Sequence, residues 1–249
     1  MLELDDTDAI ILPKRGKRSP QLGPVAVIAG TETDLFQLCE LLDFDSRAYQ
    51  KLFTSRLYHD DADPSSPGIS LTGPVVGAPY AVMVLETLIA WGARKIIFLG
   101  WCGSISEKVK IGDLIVATSA IIDEGTSGHY ENNEARVSFP AASMLTALND
   151  ALRQNQADFF SGAIWTTDAI YRETIEKVKH FQGREAIGVE MEISALFTVA
   201  KFRGADLGAM AVVSDELAGF KWRPGFKMDE FRTGRQAACT VIRDLCRKT

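Results

Sequence analysis

The sequence predicts an α/β fold in which a mainly parallel β-sheet is covered by helices on both faces. Three apolar runs of strand length support this prediction: VAVIAG (25–30), KIIFLGWCGSI (95–105) and AMAVVS (209–214). Runs without polar alternation are typical of strands that are buried on both faces. Amphipathic helix patterns lie between these runs, and strands that alternate with helices form parallel sheets. In such folds, ligands bind at the carboxyl ends of the strands.

The first half of the chain contains two strand-turn-helix units. VAVIAG ends in a glycine and is followed by the amphipathic segment TETDLFQLCELL (31–42), with Thr31 or Thr33 as the N-cap of the helix. The segment GISLTGPVVGAP (68–79) combines a strand with a glycine- and proline-rich turn, and a second helix follows it. The glycines allow a ligand to approach the backbone closely, and a tight turn without a ligand explains them equally well.

The second half continues the alternation of strands and helices. Its apolar patterns predict, in order, a strand or bent pair over 111–125, a helix over about 141–156, a strand over 158–168, a helix over 172–181 and a closing helix over 228–248.

Length and composition restrict the class of protein. A chain of 249 residues with 46% hydrophobic residues has the material for one sizeable core, so we expect a single domain over 1–249 with residues 1–23 as an N-terminal arm. The net charge of −6, with no basic run beyond KRGKR (14–18), argues against nucleic-acid and membrane partners. Four cysteines without metal-type spacing, and no signal-peptide pattern, predict a cytoplasmic protein without a structural metal.

Two acidic residues mark the start of the helix in GVEMEISALFTVA (188–200). Glu190 and Glu192 precede the apolar helical pattern and flank Met191. Carboxylates at a helix start are favoured by the helix dipole, which is a structural explanation for both. The functional alternative is that these acceptor-only groups bind the vicinal hydroxyls of a sugar.

In their order along the chain, the strand ends resemble those of the nucleoside phosphorylase superfamily, of the type that includes uridine phosphorylase, hexameric purine nucleoside phosphorylase and methylthioadenosine nucleosidase. The resemblance rests on five motifs that run from Val25 towards the C-terminus: VAVIAG, TGPVVGAP, KIIFLGWCGSI, GVEMEISAL and VVSDE. It implies a phosphorylase-type three-layer fold with a central mixed, largely parallel twisted sheet flanked by helices. It also implies a nucleoside substrate, no cofactor, and assembly as a homodimer or a trimer of dimers.

The resemblance assigns roles to several of these positions. The ribose would be held by Glu190, Met191 and Glu192. The base would contact Cys102, Gly103, Ile170 and Asp215, and Asp215 would act as the acid that protonates a purine leaving group. Glu192 would favour the positive charge that develops at the anomeric carbon.

The phosphate site departs from the family pattern. Phosphorolytic relatives carry two arginines and a hydroxyl residue at positions that read Asp34, Phe98 and Trp101 in this sequence. With Gly30 and Gly73, these residues would form a pocket for phosphate or water, and Arg47 or Arg56 of a neighbouring subunit could compensate for the missing cations. Phosphorolysis, with inorganic phosphate as co-substrate, is the nominal expectation. The alternatives are a hydrolase with Asp34 as the water-activating base, and a catalytically silent nucleoside-binding homologue.

Overall fold

The computed structural model describes residues 9–60, 68–132 and 134–248. The strands within these ranges are β1 (Val25–Ala29), β2 (Gln50–Leu52), β3 (Ser55–His59), β4 (Ile69–Gly73), β5 (Lys95–Ser104), β6 (Leu114–Asp123), β7 (Val137–Ser138), β8 (Phe160–Thr167), β9 (Ala186–Glu190), β10 (Asp206–Glu216) and β11 (Arg223–Pro224). The helices are α1 (Glu32–Leu41), α2 (Ala78–Trp91), α3 (Ala142–Gln154), α4 (Ile175–Gln182), α5 (Ile193–Phe202) and α6 (Asp229–Cys246). Two short 3₁₀ turns follow β6 and β8.

All of these strands belong to one mixed sheet, and five of them close into a ring. β10 pairs with β5 on one side and with β6 on the other. β6 pairs with β8, β8 with β9, and β9 with β5, which completes the ring. β1 and β4 extend the sheet from β5 in parallel, and the β2–β3 hairpin adds two antiparallel strands at the edge. The predicted mixed, largely parallel sheet is confirmed.

The sheet is buried on both faces, as the uninterrupted apolar runs predicted. In β1, Ala26 and Ile28 point into a core cluster formed with α2 and α5. Val25, Val27 and Ala29 point into a second cluster formed with α1, α3 and α6. Burying a side chain of the size of Val or Ile contributes about 1.5–3 kcal/mol relative to exposure, so this alternation fixes the strand firmly between the two helix layers.

Most of the predicted elements are present, with small shifts at their ends. The segment 111–125 forms the single strand β6, with a register irregularity between Ala117 and Ser119 where it pairs with β8. The β2–β3 hairpin was not predicted, because residues 44–68 have no clear periodicity. Residues 9–23 of the predicted arm have no helix or strand, and residues 1–8 lie outside the described ranges. None of the helices in the described parts is long and apolar enough to cross a membrane.

Candidate functional site

A cavity of about 260 Å³ lies at the carboxyl ends of β1, β5 and β10, next to the junction between β9 and α5. This is the edge where an α/β sheet places its ligand. The cavity is lined by Gly30, Thr31, Val75, Val76, Gly100, Trp101, Cys102, Gly103, Ile170, Glu173, Val189, Glu190, Met191, Glu192, Ser214, Asp215 and Phe226. A larger cavity of about 600 Å³ between residues 135–141 and α5 contains none of the predicted site residues.

Glu190 and Glu192 are both buried at this junction, but they are held in different ways. Oε2 of Glu190 accepts the backbone N–H groups of Glu192 and Ile193, each at 2.7 Å, and Oε1 accepts the Thr166 hydroxyl. Glu190 therefore satisfies two of the free N–H groups at the start of α5, which agrees with the structural explanation of this residue.

Glu192 is less occupied by the protein and faces the cavity. Its Oε1 accepts the Gly77 N–H at 2.5 Å, which ties the start of α2 to the start of α5. An ionised carboxylate offers about four acceptor sites, so Glu192 keeps capacity for the hydroxyl groups of a ligand. Met191 lies between the two acids in the sequence and lines the same cavity.

Burial raises the pKa of both carboxyl groups. The pKa of Glu190 rises because of burial and because of the charge of Glu192, against the lowering effect of its hydrogen bonds. The pKa of Glu192 also rises through burial, and the Gly77 N–H opposes that rise. The two groups repel one another when both are ionised, and this repulsion adds to the effect of burial on the pKa of Glu190.

Asp215, the predicted base contact, lies near the end of β10 and lines the cavity. Its Oδ1 accepts the Ser214 hydroxyl at 2.6 Å, and its Oδ2 accepts the Trp222 indole N–H at 2.9 Å. A Cβ atom at Gly103 would lie 3.1 Å from Oδ2, so glycine at this position leaves room for the carboxylate. The predicted base contacts Cys102 and Ile170 also line the cavity.

Sequence reasoning missed several residues of the site. Glu173 follows the 3₁₀ turn after β8 and lines the cavity with Asp215, while Phe226 packs 6.1 Å from Trp101 between ring centroids. Trp222 was missed because no pattern links it to Asp215. Glu173 lies three positions after Ile170, the predicted base contact, which was the available signal.

Asp34 is a correction to the predicted pocket. Its carboxylate is fully buried and does not line the cavity. Oδ1 pairs with Arg235, with Nε and the terminal nitrogen each at 2.7 Å, and Oδ2 accepts the Trp101 indole N–H at 2.6 Å and the Thr31 hydroxyl at 2.9 Å. A carboxylate whose two oxygens are held in this way is a structural anion, and the geometry does not support it as a base that activates water.

Two other residues of the predicted pocket, Phe98 and Gly73, do not line the cavity either. Phe98 is fully buried in the core and lies behind Gly100, where an added Cβ would be 2.7 Å from the Phe98 ring. Gly73 supports the backbone, because a Cβ there would overlap the Ala29 carbonyl oxygen. Gly30 and Trp101 do line the cavity. Of the predicted phosphate or water pocket, the structure therefore brings only these two residues to the site.

The cavity is strongly acidic for its size. Glu173, Glu190, Glu192 and Asp215 line it, and none of the lining residues is a lysine or an arginine. Burial, with the nearby carboxylates Asp215 and Glu190, holds the pKa of the Cys102 thiol well above its usual range, so this thiol is neutral. The lining therefore favours a neutral or cationic group over an anion.

Comparison with known proteins identifies the family of this chain. The sequence model of the Phosphorylase superfamily matches residues 24–247. The chain belongs to the phosphorylase superfamily. A guanosine phosphorylase from Halorubrum lacusprofundi is 30% identical over 196 residues, which cover 78% of each chain. For several other curated relatives, the matched segment spans less than two thirds of their own length.

Solved structures of the phosphorylase superfamily share the fold. A uridine phosphorylase from Vibrio fischeri superposes with a TM-score of 0.77 at 23% identity, covering 91% of this chain and 93% of the other. An AMP nucleosidase from Bacteroides thetaiotaomicron gives a TM-score of 0.69 at 23% identity, with coverage of 90% and 88%. The predicted α/β phosphorylase-type fold is thus confirmed.

Proposed function

We propose that this chain cleaves the N-glycosidic bond of a purine nucleoside, nominally by phosphorolysis to the free base and a pentose 1-phosphate. The observation that carries the proposal is that Glu192 and Asp215 line one cavity. A single bound nucleoside would place its sugar at Glu192 and its base at Asp215. Membership of the phosphorylase superfamily and the similarity to a guanosine phosphorylase support the same reaction.

The sugar end is suited to a ribose. Glu192 would accept hydrogen bonds from the 2′- and 3′-hydroxyls, with Met191 packed on the ring. Breaking the bond to the base builds positive charge at the anomeric carbon, and an ionised carboxylate that already holds the sugar stabilises this charge in the transition state. Glu190 would act indirectly, because it accepts the backbone N–H groups of Glu192 and Ile193 and so fixes the start of α5.

The base end is suited to a purine. The Asp215 carboxylate lies beside Gly103, and both residues line the cavity. Ile170 and Val189 provide apolar walls. An acceptor at this position pairs with an N–H group of the base, and a purine that is protonated at N7 offers one as it leaves.

The nucleophile distinguishes phosphorolysis from a second candidate reaction. The start of α1 reaches the cavity through Gly30 and Thr31, and the positive end of a helix dipole favours an anion. A phosphate would further need cations from a second copy of the chain, for which Arg47 and Arg56 are candidates. Hydrolysis is the second candidate, because none of the residues that line the cavity is a lysine or an arginine.

The test is base release from guanosine, inosine, adenosine and uridine by purified protein, with and without inorganic phosphate. We expect purine release that requires phosphate. Purine release at the same rate without phosphate would replace phosphorolysis by hydrolysis. Tight binding of nucleosides without release in either condition would instead identify a silent homologue.

A cytoplasmic location, a role in purine salvage and assembly as a homodimer or a trimer of dimers belong to the same proposal. The four cysteines are unpaired and buried, as in a reducing compartment. Sedimentation of the purified protein tests the assembly, and a monomer at micromolar concentration would contradict it.

A further inference from the structure

Glu173 is a carboxylate without a fixed role in the protein. It is half-buried and lines the cavity beside Asp215. Its side chain makes no hydrogen bond or ion pair with any residue of the described ranges. The other carboxylates of the cavity are each held by at least one protein donor. A partly desolvated carboxyl group is retained without a partner where it serves a ligand or a reaction.

Asp215 is already held by protein donors at the end of β10. Both of its oxygens accept hydrogen bonds, one from the Ser214 hydroxyl and one from the Trp222 N–H. Glu173 accepts no such hydrogen bond from the described residues, so its carboxyl group is free to act on a ligand. An acid that transfers a proton at neutral pH must hold that proton before the reaction.

We propose that Glu173 is the general acid that protonates the leaving base. This role rests on the proposed function. As the bond between the anomeric carbon and the base breaks, its electrons pass to the base, and the proton of the Glu173 carboxyl passes to a ring nitrogen of the base. An oxygen of the phosphate co-substrate forms the new bond to the anomeric carbon. Glu173 is left as a carboxylate and regains a proton from water after the products leave.

The electrostatic surroundings of Glu173 agree with this role. Burial is the main cause that raises the pKa of Glu173 to about 7, and the charge of Asp215 on β10 adds to the effect. Lys177 on α4 lowers the pKa of Glu173, but the Lys177 ammonium group is paired with Asp123 at 2.7 Å. Glu190 and Glu192 line the same cavity as Glu173. Activity should therefore fall as the pH rises through about 7, because Glu173 loses its proton.

The experiment compares Glu173→Gln with wild type on two nucleosides. Inosine needs a proton on its leaving base, whereas 7-methylguanosine already carries a positive charge on the ring and does not. For Glu173→Gln we expect kcat/KM for inosine to fall by about 10²–10⁴-fold, and kcat/KM for 7-methylguanosine to change by less than roughly 5-fold. The decline of activity above pH 7 should disappear in the variant, and Asp215→Asn should shift that decline to lower pH.

Glu176→Gln is the matched control, since it makes the same change at an exposed position three residues away. Equal losses on both nucleosides, or an unchanged pH profile in Glu173→Gln, would overturn the role of Glu173 and leave the proposed function intact. If wild type releases base from neither nucleoside, the proposed function fails and the assignment fails with it. Thermal unfolding of each variant identifies losses that come from misfolding.

Discussion

At the scale of single residues, two predicted carboxylates lie in different places, because Glu192 lines the cavity whereas Asp34 is buried away from it. Glu192 could be located from sequence because a helical pattern, a preceding strand and a recognisable motif all converge on it. The contacts of Asp34 could not be foreseen, because its ion-pair partner Arg235 lies 201 positions later and its indole partner Trp101 lies 67 positions later. Contacts that depend on how distant elements pack leave no local pattern in a sequence.

The first residue prediction concerns catalysis by Glu192. We expect Glu192→Gln to lower kcat by about 10²–10³-fold, because the amide keeps an acceptor for the sugar but loses the negative charge that stabilises the transition state. Steady-state kinetics with inosine would measure this. Glu107→Gln, the same change at an exposed position, should leave kcat unchanged. A loss confined to KM would show that Glu192 contributes to substrate binding alone.

The second residue prediction concerns the ion pair between Asp34 and Arg235. Asp34→Ala should lower the free energy of unfolding by about 3–5 kcal/mol, since it leaves a largely buried guanidinium without its counter-charge. Urea unfolding measures this change. In a double-mutant cycle with Arg235→Met, the free energy of unfolding should fall in the double variant by much less than the sum of its decreases in the two single variants. Additive losses would mean that the two side chains do not stabilise one another.

At the scale of elements, α6 packs against the sheet through a glycine. A Cβ atom at Gly234 would overlap the carbonyl oxygen of Gly112, in the turn before β6. The apolar periodicity of 228–248 was sufficient to predict α6, but it did not reveal this contact. A helical glycine is unfavourable by about 1 kcal/mol relative to alanine, so its presence indicates that close packing outweighs helix propensity here.

We therefore expect Gly234→Ala to destabilise the protein by about 1–3 kcal/mol, although alanine is the better helix former. Gly219→Ala is the matched control, because an added Cβ there meets no atom within 4 Å. This control should change the free energy of unfolding by no more than about 0.5 kcal/mol. Stabilisation by Gly234→Ala in urea unfolding would show that α6 can move away from the turn without loss.

At the scale of the whole molecule, the alternation of strands and helices was enough to predict the sheet and its helix layers. The closed ring of five strands was not predictable, because the pairing of β10 with both β5 and β6 joins segments far apart in the chain. The acidic character of the cavity also emerged only from the fold. Its four carboxylates come from three separate segments of the sequence.

These carboxylates should affect the pH dependence of stability. The folded protein raises the pKa of Glu173, Glu190 and Glu192 above the value of about 4.3 of an unfolded chain. At pH values between about 4.3 and the raised pKa values, the folded state binds more protons than the unfolded state. The contribution of these groups to stability therefore falls as the pH rises from about 4.3 towards neutrality and beyond. Below about pH 4.3 both states are protonated and the difference disappears.

Glu190→Gln tests this dependence, because the amide oxygen can still accept the N–H groups at the start of α5. The variant should gain stability relative to wild type at pH 8 and show little difference near pH 4.5, as measured by thermal unfolding. Glu107→Gln should follow wild type at both pH values. A difference between Glu190→Gln and wild type that does not change with pH would show that Glu190 acts through packing alone.

The acidic cavity also has a consequence for inhibitors. A sugar mimic that carries a protonated amine in place of the ring oxygen would bring a permanent positive charge to the carboxylates near the anomeric position. The neutral substrate acquires such a charge only for the duration of bond breaking. Compounds of this type should bind this protein far more tightly than the nucleosides that it cleaves.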